Sequence, residues 1–171
     1  MGILVKLFIL VKFLYALRGM IFLLDKILSR VQKPTRYIGG ELNEVVKNVD
    51  DCFIRYAFCF PDTYEIGMSH LGMKILYSLI NEREDTYCER AFAPWFDMEE
   101  ELRKHNLPLF SLETKTPLNE FDFLGFTLQY EMSYSNILNM LDLSNIPLLS
   151  KDRKEGDPFV YAGGPCAYNP E

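Results

Sequence analysis

The run FPDTYEIGMSHLG at residues 60–72 holds the densest group of residues in the chain that could bind a ligand. Gly67 and Gly72 allow a backbone to approach a ligand closely, and Ser69 can cap a following helix whose first amides attract an anion. The other candidates in this run are Pro61, Asp62, Tyr64 and Glu65. A plain turn between a strand and a capped helix is the alternative, but the number of glycine and polar positions favours a binding loop.

Two later runs carry further candidates for ligand binding. Tyr130 and Glu131 lie in QYEMSYSN, and Gly163, Gly164 and Pro165 lie in AGGPC. A glycine pair at the end of a strand can be a simple turn, or it can admit a flat ring or a phosphate. Neither run predicts a site by itself, so the prediction depends on whether the fold brings the three runs together.

Apolar segments alternate with amphipathic ones, which predicts the elements that position these runs. Strands are predicted at residues 52–60, 87–93, 107–112, 121–128 and 158–162. Helices are predicted at residues 71–83, at residues 97–105 and after the QYEMSYSN run, where Ser133 or Ser135 can act as the cap. The alternation predicts an α/β fold with a doubly wound parallel sheet, Rossmann-like (flavodoxin-like) and of about five strands. Such sheets bind ligands beyond the carboxyl ends of their strands, so the three runs are predicted to share one edge.

The four cysteines lack the spacing of a metal or cluster site. Cys52, Cys59, Cys88 and Cys166 are separated by 7, 29 and 78 positions, intervals that zinc and iron–sulfur loops do not use. Cys52 and Cys59 lie in an apolar run, so buried free thiols in the reducing cytoplasm are expected. The position of His70 is equally consistent with a residue on the surface of a helix and with a metal ligand. Neither GxGxxG nor GxxxxGKS/T occurs, which excludes a standard nucleotide loop.

Charge divides the chain into two parts. Residues 1–40 carry seven Lys/Arg against one Asp, a net charge of +6, whereas residues 41–171 carry 11 against 23, a net charge of −12. A surface of the latter sign repels phosphate backbones. Direct nucleic-acid binding by this domain is therefore not expected.

The first 24 residues are apolar and long enough to cross a bilayer, but Lys6, Lys12 and Arg18 interrupt them. A membrane anchor, a signal sequence and a dispensable extension before an internal start at Met20 are all consistent with this pattern. We therefore predict an apolar cationic extension or membrane helix over residues 1–28, followed by an α/β domain over the rest of the chain. The expected location is the cytoplasm, with residues 1–24 able to contact a membrane.

Five longer runs between residues 33 and 171 carry a resemblance to a known family. They are KPTRYIGGELN, FPDTYEIGMSHLG, NEREDTYCERAFAPWFDMEEELR, FDFLGFTLQYEMSYSNILNMLDLSNIPL and AGGPCAYNPE. In this order they resemble the N-terminal domain of a bacterial radical S-adenosylmethionine (radical SAM) family. The resemblance implies a cobalamin-binding-like Rossmann domain, followed in full-length relatives by a radical domain with a 4Fe–4S cluster on a CxxxCxxC loop and S-adenosylmethionine on its open iron. No such loop occurs here, so the chain is expected to be a fragment, incomplete at its C-terminal end.

One residue within the resemblance bears on the cofactor. Cobalamin domains that ligate cobalt carry DxHxxG after the first strand, whereas residues 62–67 place Tyr64 at the histidine position. A phenol is a poor replacement for imidazole as a cobalt ligand. The resemblance therefore implies either cobalamin without a ligand from the protein or a pocket that holds the substrate.

The expected function is that of an accessory domain of a cobalamin-type radical SAM enzyme, with no catalytic or metal-binding residue of its own. Residues 61–72, Tyr130, Glu131 and residues 163–165 would supply a cobalamin-like or substrate pocket. The cluster and S-adenosylmethionine would belong to the radical SAM domain, the expected partner on the same chain. The alternative is a free-standing or membrane-tethered binding module without catalysis.

Overall fold

The structure, a computed structural model, describes residues 22–168. The chain divides into two compact units, Met1–Pro34 and Thr35–Glu171. In the first unit, the described residues form helix α1 over residues 22–28. None of the helices described in residues 22–168 is long and apolar enough to cross a membrane. The anchor predicted from residues 1–24 lies almost wholly outside the described part.

Four parallel strands form the sheet of the second unit, as far as the structure describes it. They are β1 (Ile54–Phe60), β2 (Thr86–Phe92), β3 (Phe123–Thr127) and β4 (Phe159–Gly163). Their order across the sheet is β2-β1-β3-β4, with every neighbouring pair parallel. The strand order therefore reverses between β1 and β3. This sheet, with helices between its strands, confirms the predicted α/β, Rossmann-like fold.

The helices of the second unit lie on both faces of this sheet. They are α2 (Tyr64–Ser69), α3 (Leu71–Asn81), α4 (Phe96–His105) and α5 (Ser133–Leu143). Parallel strands are joined by right-handed crossovers, so opposite directions of travel across the sheet put helices on opposite faces. The chain moves outward from β1 to β2 and back toward β3 and β4. This places α3 on one face, which we call the first face, and α4 and α5 on the second face.

The joint between α2 and α3 differs from the prediction. The imidazole of His70 caps α3, because its Nδ1 accepts a hydrogen bond from the backbone N–H of Met73 at 3.1 Å. The prediction that Ser69 caps this helix is wrong. The Ser69 hydroxyl instead donates to the carbonyl of Ile66 at 2.7 Å, within α2.

The cap predicted for α5 is also wrong. Met132 occupies the N-cap position and makes no side-chain hydrogen bond there. Ser133 is already the first helical residue, and the Ser135 hydroxyl donates back to the Met132 carbonyl at 3.2 Å. Both serines therefore lie inside the helix, where neither can accept from its first amides.

The strand predicted at residues 107–112 does not form. Phe110 makes only an isolated antiparallel bridge, to Pro117. Pro108 lacks the N–H that a regular ladder needs, and the backbone N–H of Leu112 donates to a carbonyl of β2 at 2.7 Å. The segment therefore lies beside β2 without extending the sheet as a strand.

A buried carboxylate holds this segment in place on the second face. Glu89 of β2 is completely buried, and its Oε1 accepts from the guanidinium of Arg55. Its Oε2 accepts from the Ser111 hydroxyl at 2.7 Å, and from the backbone N–H and hydroxyl of Thr114 at 3.0 and 2.6 Å. Buried charges are tolerated when they are paired in this way, so Glu89 fixes residues 111–114 against the sheet.

The half of the first face over β2 and β1 is closed by α3. The buried side chains packed there are Phe58, Phe60, Met73, Tyr77, Cys88, Phe92 and Leu112. Asn81, in the last turn of α3, donates to the carbonyl of Cys88 at 2.9 Å and accepts from its N–H at 3.0 Å. This two-way bond fixes the helix to one position along β2.

Within the second unit, no described helix covers the half of the first face over β3 and β4. Its side chains are Phe123, Phe159 and Tyr161, with Tyr56 of the adjacent strand β1 at its border, and we call this surface, including Tyr56, the open half-face. Phe159 is 72% exposed and Tyr161 is 48% exposed. The rings of Phe123 and Phe159 stack on each other with centroids 5.6 Å apart. Parallel sheets are normally covered on both faces, so this surface is unusual.

Candidate functional site

The carboxyl ends of β1 and β3 lie side by side where the strand order reverses, the place at which doubly wound sheets bind ligands. Asp62 follows β1 and Tyr130 follows β3, and the Tyr130 hydroxyl donates to Asp62 Oδ2 at 3.2 Å. Asn136 of α5 donates from Nδ2 to the Pro61 carbonyl at 2.8 Å. The structure therefore brings three predicted site residues, Pro61, Asp62 and Tyr130, to one point.

Asp62 favours the protonated form of its partner Tyr130. The negative charge of Asp62 raises the pKa of Tyr130. The phenol therefore keeps its proton and remains the donor to the carboxylate. Because Tyr130 is 43% exposed, the pair presents a carboxylate and a phenol at the surface of this edge.

A hollow of about 310 Å³ lies on the first face, and its lining includes Gln129, the residue before Tyr130. Its floor includes Tyr56 and Tyr161 of the open half-face, and its side wall includes Leu76 of α3. Among the described residues, no Asp, Glu, Lys or Arg side chain lines it. Apolar hollows with a few polar groups are typical of small-molecule sites. We call this cavity the edge hollow.

Two polar side chains of the edge hollow could orient a ligand. The Nδ1 of His70 accepts the bond from the start of α3, so Nε2 is the ring nitrogen that carries a proton and can donate. The amide nitrogen of Gln129 donates to the Thr127 hydroxyl, so its amide oxygen can accept. The hollow therefore offers one donor and one acceptor among apolar neighbours.

A pair of tyrosines forms part of the floor of the edge hollow. The Tyr161 hydroxyl donates to the Tyr56 hydroxyl at 2.6 Å. Burial raises the pKa of Tyr56, so this phenol keeps its proton at physiological pH. A Cβ atom at Gly125 would overlap the Tyr56 hydroxyl, which means that this glycine is required by the tyrosine pair.

The predicted residues after β4 have separate roles. Gly163 lines the edge hollow, and a Cβ added there would meet nothing within 4 Å. Gly164 has a φ of 127°, and a Cβ would lie 2.5 Å from the carbonyl oxygen of Leu128, so glycine is needed there. Pro165 and Glu131 line a neighbouring hollow of about 260 Å³. Gly163 and Gly164 therefore line the edge hollow, whereas Pro165 and Glu131 line the neighbouring hollow instead.

Helix α2 directs Tyr64 and Glu65 toward the segment that precedes β1. The Tyr64 hydroxyl donates to Glu41 Oε1 at 2.8 Å, and Glu65 accepts from Arg36 Nε at 2.9 Å. Burial, together with the hydrogen bond to Glu41, raises the pKa of Tyr64 to about 12. These two side chains tie the preceding segment to α2, and the structure does not bring them to the edge hollow.

The three remaining candidates in the run at residues 60–72 also separate. A Cβ atom at Gly67 would overlap the ring of Phe92, so this glycine serves packing. Ser69 bonds within α2, as described above. Gly72 lines the edge hollow next to His70. Of the candidates predicted in this run, Pro61 and Asp62 lie at the strand reversal and Gly72 lines the edge hollow, as does His70 of the same run.

A larger cavity, about 570 Å³, lies elsewhere, between residues 41–45 and α3. Two of its charged groups bond each other, because Arg90 donates to Glu41 at 2.8 Å, and Arg90 also donates to Glu113 at 2.6 Å. The Arg90 guanidinium also lies over the Tyr77 ring, 4.6 Å from its centroid. Because these groups are satisfied within the protein, we place the candidate site at the strand reversal instead.

The described residues show no metal centre. No group of three or more His, Cys, Asp or Glu side chains within residues 22–168 could hold a metal ion. All four cysteines are free, and burial raises the pKa of the Cys59 and Cys88 thiols. Cys52, expected to be buried in a strand, is half-exposed because β1 begins only at Ile54.

Sequence reasoning missed Tyr56, Tyr161 and Gln129 as residues of the site, and left His70 undecided. Alternation along CFIRYAFCF could have placed Tyr56 on one face with the phenylalanines that follow it. Its meeting with Tyr161 depends on β3 lying between β1 and β4, which no local pattern reveals. The capping imidazole of His70 likewise follows from the unpredicted break between α2 and α3.

Comparison with known proteins identifies a family. The family profile for the N-terminal region of radical SAM proteins matches residues 72–171, more than half of the chain. Searches of curated proteins and of solved structures gave no match. The matched residues include most of α3, strands β2 to β4, and the loops that carry Tyr130 and Gly163. The chain therefore belongs to the family formed by the N-terminal regions of radical SAM proteins.

Proposed function

We propose that this chain is the accessory domain of a radical SAM enzyme and supplies a ligand pocket where the strand order reverses. The observation that supports this most directly is the Asp62–Tyr130 hydrogen bond at the strand reversal, with Gln129 of the edge hollow preceding Tyr130, in a chain of this family. The 4Fe–4S cluster and S-adenosylmethionine would be held by a radical SAM domain on the same polypeptide. The present chain would bind and orient, and it would carry no catalytic residue.

The lining of the edge hollow favours the substrate of the radical reaction as its ligand. No charged side chain is among the described lining residues, so a mostly apolar molecule suits the hollow better than a phosphate or a free amino acid. The Nε2–H of His70 and the amide oxygen of Gln129 would orient one polar edge of it. Asp62 and Tyr130 would meet any polar group that projects from the mouth.

Cobalamin without a ligand from the protein is the second candidate for this pocket. Cobalamin would supply cobalt–carbon bond chemistry when bound. Tyr64 does not fit as a cobalt ligand, because its hydroxyl bonds Glu41 and its pKa is raised to about 12, so that no phenolate forms near neutral pH. The loop therefore does not fit a cobalt site of the histidine type, and no step of our proposal depends on cobalt.

The proposal that the cluster belongs to a separate radical SAM domain can be tested with two proteins. One is the 171-residue chain, and the other is the product of a longer reading frame that includes a CxxxCxxC loop. After anaerobic incubation with iron and sulfide, the longer protein should hold about four iron atoms per chain, and the 171-residue chain none. Absorbance spectra and iron analysis measure this. A stop codon directly after Glu171, or a stable cluster in the shorter chain, would contradict the proposal and favour a free-standing binding module.

The pocket itself can be tested in the longer protein by substitution. Asp62→Asn combined with Tyr130→Phe should reduce cobalamin retention or substrate turnover at least several-fold. Glu65→Gln is the matched control, because Glu65 lies in the same run and contacts Arg36 instead. Equal effects of the two changes would show that the pair at the strand reversal is not part of the pocket.

A further inference from the structure

We infer that the open half-face is the surface against which the C-terminal, radical-bearing part of a radical SAM protein packs. The inference rests on the proposed function, because its occupant is the partner proposed there. It adds where that partner lies on this domain and which side chains it covers. The argument uses exposure, continuity with the edge hollow and the path of the chain after β4.

The open half-face is part of a larger apolar surface. Phe159 and Tyr161 are 72% and 48% exposed, and Leu76 of α3, which is 45% exposed, lines the edge hollow together with Tyr161. Along the outer side of the same helix, Leu71 and Ile75 are 69% and 56% exposed. Contiguous apolar surface of this kind marks an interaction site in a protein.

The kind of surface indicates a permanent partner. Parallel sheets have both faces covered within the folded protein, because helices of the connecting segments cover them. Here α3 covers only the half over β2 and β1. A partner that leaves and returns would expose the stacked rings of Phe123 and Phe159 each time, at a cost that grows with the apolar area.

The path of the chain favours a partner on the same polypeptide. After β4 the chain forms a short 3-10 helix, Pro165–Tyr168, whose last residue is 87% exposed. Gly164, which leads into this helix, also lines the edge hollow. The chain therefore leaves the sheet at the border of the open half-face, and a partner linked through this segment has a high effective concentration there.

The position of the edge hollow argues against a second copy of this chain. Tyr56 and Tyr161 belong both to the open half-face and to the floor of the hollow. A two-fold dimer through this surface would place the same floor against itself and block both pockets. The radical-bearing part, in contrast, must approach the ligand, so the same contact closes the hollow and brings the reacting groups together.

Photocrosslinking in the longer protein tests the inference. Benzoylphenylalanine is introduced at position 159 of the open half-face or, as the control, at position 96, where α4 carries a phenylalanine that is 76% exposed. We expect position 159 to give intramolecular crosslinks to peptides beyond residue 171, at least fivefold more than position 96. Peptide mapping by mass spectrometry measures the yield and the partner.

Three outcomes would overturn the inference: crosslinks from position 159 to a second copy, crosslinks to residues 1–21, or a yield no higher than that of position 96. Iron content and cleavage of S-adenosylmethionine in the same samples keep the two proposals separate. A protein with a cluster but without the crosslink contradicts the inference alone. A protein with the crosslink but without a cluster contradicts the proposed function alone.

Discussion

The two halves of the first face are built from similar residues but differ in what covers them. Over β1, Phe58 and Phe60 are each 5% exposed beneath α3, whereas Phe159 on β4 is 72% exposed. The closed half thus has a complete core, and the open half carries aromatic side chains of the same kind without one. The difference teaches that one part of this sheet provides stability, while the other presents binding surface.

Charge follows the same division. Strands β1 and β2, which lie beneath the closed half, hold Arg90 with both Glu41 and Glu113 on the first face and Glu89 with Arg55 on the second face, in buried or half-buried ion pairs. No charged residue lines the edge hollow in the described part of the chain. Networks of buried charges penalise rearrangement, because breaking one pair strands its partner. The closed half is therefore expected to be the rigid half.

The largest expected effect comes from breaking the Glu89 network. Glu89→Ala removes the acceptor of four hydrogen bonds and strands the guanidinium of Arg55, so the free energy of unfolding should fall by roughly 3–5 kcal/mol. Urea unfolding followed by circular dichroism measures it. Glu100→Ala on α4, where the carboxylate is exposed, should leave the unfolding curve unchanged. Equal curves for the two variants would show that the closed half does not depend on this network.

An intermediate effect is expected when the same substitution is made in each half. Gly67→Ala forces a Cβ into the ring of Phe92, so it should lower the free energy of unfolding by about 1–3 kcal/mol. Gly163→Ala meets nothing within 4 Å and should change it far less. Thermal melts of the two variants measure the difference. A larger loss at Gly163 would reverse our assignment of the packed and open regions.

The smallest expected effect is a pH dependence of the closed half. Burial alone would raise the pKa of Glu41, but the hydrogen bond from Tyr64 and the charge of Arg90 outweigh it and hold the pKa below the ordinary 4.5. A lowered folded-state pKa adds stability that is present above pH 4.5 and is lost as the pH falls through the lowered value. Glu41→Gln should therefore be less stable than the native chain at pH 6, with the gap narrowing toward pH 3. Urea midpoints across this range measure the gap, and a constant gap would contradict the assigned direction.

Much of the fold could be predicted from the sequence, because apolar strands and amphipathic helices leave local patterns. Four of the five predicted strands exist. The one predicted at residues 107–112 does not form, because Pro108 interrupts it and Leu112 is bonded to β2. The lesson about the site is different. Asp62 and Tyr130 could be placed at one edge by the rule for parallel sheets, and the structure brings them within hydrogen-bond distance.

The rest of the site could not be read from local patterns. Tyr64 and Glu65 have the residue types of a binding loop, but a helix of only six residues turns them toward Glu41 and Arg36. The floor of the edge hollow depends on strand order, which joins Tyr56 to a strand about a hundred positions later in the chain. Long-range pairing of this kind is a property of the whole sheet.

The segment at residues 107–112 has a further consequence for how the sheet meets other chains. It lies along β2, and the backbone N–H of Leu112 donates to the carbonyl of Arg90. This edge of the sheet is therefore shielded from pairing with a strand of another chain. At the opposite edge of the sheet, no described segment shields β4 in this way. An additional strand, whether from a continuation of the chain or from another molecule during aggregation, is therefore expected to pair with β4. The sheet can thus be extended at one of its two edges only.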